Sequence, residues 1–135
     1  MGRDDNVVHY VAPSKHENGI IDGVTFRPRE KDRIGPSVTW LEYFFGSKEE
    51  QVAQARSVIP LNMRPSGFLA ELNVGKTTEA AKRHAQLGFE HTNGPDDHPS
   101  HFEIGGLRGA PPETYDLIAK SITDHHSAVL GKGRA

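Results

Sequence analysis

Apolar residues in this chain occur in short runs, separated by glycine, proline and charged residues, and most runs are rich in β-branched or aromatic side chains. Such runs are typical of β-strands. Residues 7–11, 20–26 and 37–41 form the first three predicted strands. Residues 67–74 are predicted to form a buried strand, and residues 102–104 a short strand before a glycine pair.

Two central segments have the apolar spacing of helices. The first follows Ser47, whose hydroxyl can accept a hydrogen bond from the amide of Glu50 while the Glu50 carboxylate reaches back. Pro60 ends this helix. The second is predicted over residues 76–87, with Gly88 as its C-cap.

A third helix is predicted to begin near residues 111–112, because proline is tolerated in the first turn. The elements alternate irregularly, which favours one α+β domain over residues 7–126 with a mixed or antiparallel sheet. Residues 1–6 are predicted to be a flexible N-terminus and residues 127–135 a flexible tail. The predicted core includes Phe26, Val38, Trp40, Leu69, Leu72 and Ile118.

Composition narrows the classes of function. The chain has 135 residues, which fits one domain, and its net charge of −2 gives no overall field that would attract nucleic acid or a membrane. It contains no cysteine, so disulfides and cysteine-based zinc sites are excluded. The apolar runs are too short to span a bilayer and the start lacks a signal-peptide core, so we expect a cytoplasmic protein without membrane contact.

A row of alternating cations follows the second predicted strand. Its members are Arg27, Arg29, Lys31 and Arg33. In an extended segment, alternate side chains lie on one face, so the row predicts contact with an anionic ligand or nucleic acid. The alternative is a solvated sheet edge, since acidic residues lie between the cations and proline breaks regular pairing.

Histidines are the other candidate chemical groups. His98, His101 and Glu103 lie close together in sequence and have donor atoms suited to a divalent metal. Pro99 excludes a regular helix there, so the spacing does not force these side chains to converge, and we predict neither a metal nor another cofactor. The remaining alternatives are acid–base or phosphate-binding roles, or loop histidines without a role. His9 could orient a substrate from the first strand, or be a satisfied, half-buried side chain.

Residues 75–78, Gly-Lys-Thr-Thr, match the end of a phosphate-binding loop between a strand and a helix. The full motif requires a glycine five residues before Gly75, because the loop must curl its amides toward the phosphates. That position is Ala70. The sequence therefore predicts that this turn binds no nucleoside triphosphate.

The order of several small motifs resembles that of small uncharacterised bacterial proteins. These are Gly23-x-x-Phe26-Arg27-Pro28-x-x-Lys31-Asp32, Ser37-Val38, Gly67-x-Leu69-Ala70-x-x-x-Val74-Gly75 and Pro99-x-His101-x-x-Ile104-x-Gly106. A second resemblance is to ADP-ribosyltransferase-like and RNA 2′-phosphotransferase-like folds, which begin with a strand bearing a basic or histidine residue. These folds also use a hydroxyl residue on a later strand. The resemblance therefore implies that His9 is the histidine of the first strand, that Ser37 provides the hydroxyl, and that Glu71 or Glu103 is the acidic residue that follows later in the chain.

The leading interpretation is a small accessory protein of a bacterial or mobile-element system that acts by binding a protein partner. The alternative is an enzyme acting on a phosphate-bearing substrate, a nucleotide or nucleic acid. Its candidate residues are His9, His101 and Glu103 for catalysis, and Arg27, Arg29 and Lys31 for ligand binding. A pocket that joins His9, Arg27 and His101 favours the enzyme, whereas a broad apolar patch over residues 40–45 favours the binding protein. The oligomeric state stays open.

Overall fold

The computed structural model describes residues 1–18 and 20–129. The strands in chain order are β1 (Asn6–Val11), β2 (His16–Glu17), β3 (Ile20–Ile21), β4 (Ser37–Trp40), β5 (Phe68–Asn73), β6 (Gly88–His91), β7 (His101–Gly105) and β8 (Ile122–Ser127). Six of them form one antiparallel sheet in the order β6-β7-β4-β1-β5-β8, and β2 pairs with β3 separately. The predicted α+β fold with an antiparallel sheet is confirmed.

Three α-helices lie among the described residues: α1 (Lys48–Val58), α2 (Val74–Ala81) and α3 (Glu113–Lys120). The predicted capping box of α1 is confirmed, because Ser47 Oγ accepts from the Glu50 amide and Glu50 Oε1 accepts from the Ser47 amide. Within the described ranges, no helix is both long and apolar enough to cross a membrane.

Both faces of the sheet are buried. Successive strand residues point to opposite faces, so Val7 and Val8 of β1 belong to different apolar clusters. The Val7 cluster lies under α2 and α3, and the Val8 cluster lies under α1. Of the six predicted core residues, five are buried, and Trp40 is partly buried against the first cluster.

The predicted strand over residues 20–26 is wrong beyond Ile21. A 3-10 turn, Gly23–Phe26, follows instead, because the Asp22 carboxylate accepts a hydrogen bond from the Val24 amide at 3.0 Å. Gly23 packs so closely on the backbone of α3 that an added Cβ would lie 2.8 Å from the Asp116 nitrogen. Phe26 is nevertheless fully buried, as the sequence predicted.

The predicted end of the second helix is also wrong. Helix α2 ends at Ala81, and Gly88 begins strand β6 rather than capping a helix. Strand β8, which begins at Ile122 and includes His125 and His126, was not predicted, and its last residue, Ser127, is the first residue of the predicted tail. Residues 130–135 of the predicted tail lie outside the described residues.

One irregularity of the sheet positions the site described below. Strand β1 pairs with β5 along its whole length, but with β4 at two positions, Val7 with Trp40 and Val8 with Thr39. Beyond Val8 the β1–β4 ladder stops. A cavity opens where these two strands separate.

Candidate functional site

The cavity between the diverging ends of β1 and β4 has a volume of about 740 Å³. It is lined by residues 8–10 of β1, residues 37 and 39 of β4, parts of segments 24–32 and 96–101, and the segment 58–62 at the end of α1. Val58, Ile59, Pro60 and Leu61 of the last of these segments form an apolar wall, and Val8, Ala12 and Val24 also line the cavity. This volume is in the range of small-molecule sites, roughly 300–1,000 Å³.

The structure brings several of the predicted site residues together at this cavity. His9, Arg27, Arg29 and His101 line it, whereas Lys31 and Glu103 are not among its lining residues. The pocket that the sequence set as the criterion for an enzyme is therefore present.

The cationic row does not form an extended strand. The 3-10 turn ends at Arg27, and the Asp32 amide donates to the Arg29 carbonyl at 3.0 Å, which closes a turn. The Asp32 carboxylate accepts from the Arg29 amide at 2.7 Å and lies 3.4 Å from its guanidinium. These local bonds bend the segment, so alternate cations do not share one face along it.

Arg27 and Lys15 are the cations of the cavity lining that remain available. Neither side chain forms a hydrogen bond or an ion pair with another described residue, and Arg27 is exposed. The lining also includes four carboxylates. Asp32 and Asp97 are paired with arginines, and Glu30 and Asp96 are exposed. The cavity therefore has mixed charge, with two unpaired cations to offer an anion.

His9 is held by the backbone on both sides. Its Nδ1 donates to the Ser37 carbonyl at 2.8 Å, and its Nε2 lies 3.1 Å from the Thr25 carbonyl and 3.0 Å from the Thr25 hydroxyl. Burial lowers the pKa of His9, which favours the neutral imidazole with Nε2 accepting the Thr25 hydroxyl proton. Because both nitrogens are engaged, His9 joins β1, β4 and the 3-10 turn, and neither nitrogen is left for a ligand.

His101 is oriented by a chain of polar groups. Its Nδ1 hydrogen-bonds to the Thr92 hydroxyl. The one proton of that hydroxyl is directed to oxygen acceptors, the His101 carbonyl at 3.3 Å and the Asp97 carboxylate, so we assign Nδ1 as the donor. Asp97 Oδ1 lies 4.0 Å from Nδ1. The hydrogen bond from Arg33 has the largest effect on the pKa of Asp97. Together with a smaller contribution from Thr92, it lowers this pKa to about 2. The Nε2 atom of His101 forms no hydrogen bond with the described part of the chain, and the side chain lines the cavity.

Glu103 holds a loop in place, rather than serving as the catalytic residue that its closeness in sequence to His98 and His101 suggested. It shares a sheet face with His101, since Ser37 pairs with Glu103 and Thr39 pairs with His101. Its carboxylate, however, accepts from the amides of Ile34 and Gly35 at 2.7 and 3.1 Å. Glu103 is buried and anchors this loop, so it is not available as an acid or base in the cavity.

His98 is a further lining residue from the same loop as His101. Its ring stacks on Phe44 with centroids 6.0 Å apart, and its Nδ1 lies 2.8 Å from the Ser100 hydroxyl. The Ser100 amide donates to the same nitrogen at 3.2 Å. The sequence showed that His98 lies close to His101. It did not show that the Ser100 amide bonds to His98 and orients its ring.

A group of metal-ligand type lies elsewhere, under α1. Among the described residues, Glu71, Asp124 and His126 place donor atoms within 4.8 Å of one another. Lys48 Nζ lies 2.6 Å from Glu71, and His126 Nε2 lies 2.8 Å from it. Burial raises the pKa of Glu71, but the bonds from His126 and Lys48 outweigh it and lower the pKa. Because Lys48 already neutralises Glu71, the geometry gives no reason to place a cation there.

The Gly-Lys-Thr turn is closed to phosphate by the chain itself. The Val74 amide donates to the Asp5 carbonyl at 3.0 Å and the Gly75 amide to the Arg3 carbonyl at 2.9 Å. The Lys76 amide donates to the Asn73 side chain at 3.0 Å. The first three amides of α2 are therefore occupied within the protein.

The aromatic segment 40–45 is half internal: Trp40 and Phe44 pack against the core, whereas Tyr43 and Phe45 are exposed. Trp40 packs edge-on against Phe102 with centroids 5.9 Å apart, and Phe44 is buried. The exposed large apolar side chains among the described residues are Met1, Ile20, Tyr43, Phe45 and Leu61. Of these, Phe45 is the most exposed, at 89 %.

Comparison of the chain with protein-family models, with curated proteins and with solved structures gives no match. The two resemblances noted from the sequence thus stay predictions.

Proposed function

We propose that the protein is an enzyme that binds a small phosphate-bearing molecule in the cavity and uses His101 as a general base. The observation that carries this proposal is the joint lining of one cavity by Arg27 and His101: no described residue pairs with the Arg27 side chain or bonds to His101 Nε2. An available cation fits an anionic group, and an available imidazole nitrogen fits a proton transfer.

The polar chain behind His101 supports a role as base. With Nδ1 donating to Thr92, the neutral ring carries its lone pair on Nε2, on the atom left for a substrate. Asp97 stays ionised at neutral pH, because its pKa is about 2. Its negative charge stabilises the imidazolium that forms when His101 takes a proton, as the carboxylate does in a serine-protease triad.

The shape of the cavity supports a small substrate rather than a nucleic-acid chain. A volume of about 740 Å³ suits a molecule of mononucleotide size. Arg27 and Lys15 provide charge for the phosphate, and the apolar wall with Tyr10 provides surface for the rest of the molecule.

Turnover of phosphate esters tests this proposal. Mononucleotides and sugar phosphates are incubated singly with the protein and followed by phosphorus NMR. We expect one class to be converted by the wild type and by His84→Gln, since His84 is exposed and does not line the cavity. We expect His101→Gln to abolish conversion. Conversion of no ester by the wild type, or undiminished conversion by His101→Gln, contradicts the proposal.

The accessory binding protein of a bacterial or mobile-element system is the second candidate, with the cytoplasm as its compartment. The observation in its favour is Phe45, whose side chain is 89 % exposed beside the turn at Gly46. Co-purification from cells with the wild type and with Phe45→Ser tests it. A protein partner retained by the wild type and lost by the variant supports this candidate.

A further inference from the structure

His98 and His101 are joined by a tight turn at the cavity. The His101 amide donates to the His98 carbonyl at 2.9 Å, and both side chains line the cavity. With its Nδ1 assigned as the donor to Thr92, His101 presents an Nε2 lone pair. The position of the proton on His98 follows from its own neighbours.

The backbone fixes the tautomer of His98. An amide N–H can only donate, and the Ser100 amide lies 3.2 Å from His98 Nδ1. The Ser100 hydroxyl lies 2.8 Å from the same atom. Ser100 is fully buried, so water offers its amide no other partner. Nδ1 must therefore carry a lone pair, and the proton of the neutral ring is on Nε2.

We infer that His98 is a second ligand-binding group of the cavity, one that donates its Nε2 proton in a hydrogen bond to a phosphate oxygen. This inference rests on the proposed function and extends it to a pair of imidazoles with opposite roles. In the reaction, the oxygen of a substrate hydroxyl or of a water molecule gives its proton to His101 Nε2 and forms a bond to phosphorus. The ester P–O bond breaks, and the leaving oxygen takes up the proton from the His101 imidazolium or from water. His98 keeps its proton throughout and holds the oxygen that bears negative charge, as neutral imidazoles do in other enzymes.

The ligand class follows from these groups. The substrate carries a phosphate oxygen for His98 and Arg27, and the proton removed by His101 comes from the substrate or from water. Its remaining part is apolar enough for the wall formed by Ile59 and Leu61. Phenyl phosphate is a minimal probe for binding, since it has the phosphate and an apolar part, and phenol and inorganic phosphate each supply one half of it.

Two matched variants test the role of His98. His98→Phe keeps a ring for stacking on Phe44 but has no donor, whereas His98→Gln keeps an N–H near the position of Nε2. We expect phenyl phosphate to bind the wild type more tightly than phenol or inorganic phosphate. We expect His98→Phe to weaken its binding about tenfold or more, since a hydrogen bond to a charged group is lost, and His98→Gln to restore most of it.

Nitrogen NMR of the wild type measures the tautomers without any ligand. We expect His98 protonated on Nε2 and His101 on Nδ1, and this result supports the inference even if a variant fails to fold. A proton on His98 Nδ1 overturns it, and so does wild-type affinity in His98→Phe. In either case, the proposed function stands as long as the wild type binds phenyl phosphate. Failure of the wild type to bind phenyl phosphate overturns both proposals.

Discussion

His9 donates its Nδ1 proton to the main-chain carbonyl of Ser37 at 2.8 Å, at the point where strands β1 and β4 have stopped pairing. A side chain thus takes the place of the next backbone hydrogen bond of the ladder. The strands are held at a fixed separation, and the cavity opens between their ends. The sequence made His9 a candidate for catalysis. In the structure His9 shapes the cavity, but neither of its ring nitrogens is available to a ligand.

Replacement of His9 should change how stability depends on pH. Burial lowers the pKa of His9 in the folded protein from its ordinary 6.5. Below about pH 6.5 the unfolded protein therefore binds more protons at His9 than the folded protein does. The contribution of His9 to stability is complete above this pH and is lost as the pH falls toward the lower pKa of the folded state. Urea unfolding at several pH values measures this.

For His9→Gln we expect a loss of about 1–3 kcal/mol at neutral pH, since buried partners lose their bonds, and a flatter pH profile than that of the wild type. His84→Gln serves as the control, because His84 is exposed. An unchanged profile in His9→Gln would show that His9 is solvated.

Phe26→Ala should destabilise the protein by about 3–5 kcal/mol, because Phe26 is fully buried in the cluster under α2 and α3. Chemical denaturation measures the change. Phe45→Ala is the matched control, since Phe45 is 89 % exposed and should change stability by less than about 0.5 kcal/mol. A loss below about 1 kcal/mol for Phe26→Ala is incompatible with this packing.

The carboxyl group of Asp97 should titrate near pH 2 in carbon NMR, because Arg33 is hydrogen-bonded to it. In Arg33→Gln we expect its pKa to rise toward the ordinary 3.8. Since the folded pKa is depressed, the contribution of Asp97 to stability is present above 3.8 and is lost as pH falls toward 2. If Asp97 has the same pKa in the wild type and in Arg33→Gln, Arg33 is not part of the hydrogen-bonded chain behind His101.

The Gly-Lys-Thr turn should not bind ATP with magnesium. Its first three helix amides are occupied by Asp5, Arg3 and Asn73, in addition to the missing upstream glycine. Titration calorimetry of the wild type should show no binding that depends on Lys76. Micromolar affinity abolished by Lys76→Ala is the result that would contradict this expectation.

The elements that were foreseen from the sequence are those whose local signals agree with their tertiary surroundings. The cap at Ser47 and the β-branched run of β1 are examples. Strand β8 was missed because its run, Ile-Thr-Asp-His-His-Ser, is polar and becomes a strand by pairing with β5. The turn at Gly23 was missed because the β-branched run around it favours a strand, whereas the Asp22 side chain caps a 3-10 turn there and Gly23 packs on α3.

The sequence nominated Arg27 and His101, and the structure places both at one cavity. It did not indicate Thr92, which lies nine residues before His101 and meets it only because β6 and β7 are paired. Glu103 was nominated through its spacing, but spacing does not show that the amides of a neighbouring loop already occupy a carboxylate. Long-range backbone contacts of this kind leave no local pattern.

Amide NMR during a titration with phenyl phosphate tests most directly whether this cavity binds a small phosphate-bearing molecule. We expect shifts centred on Arg27, His98, His101 and segment 58–61, and affinity weakened in Arg27→Ala but retained in Lys31→Ala, an exposed cation outside the lining. Shifts centred on another surface, or equal affinity in the two variants, would contradict the account.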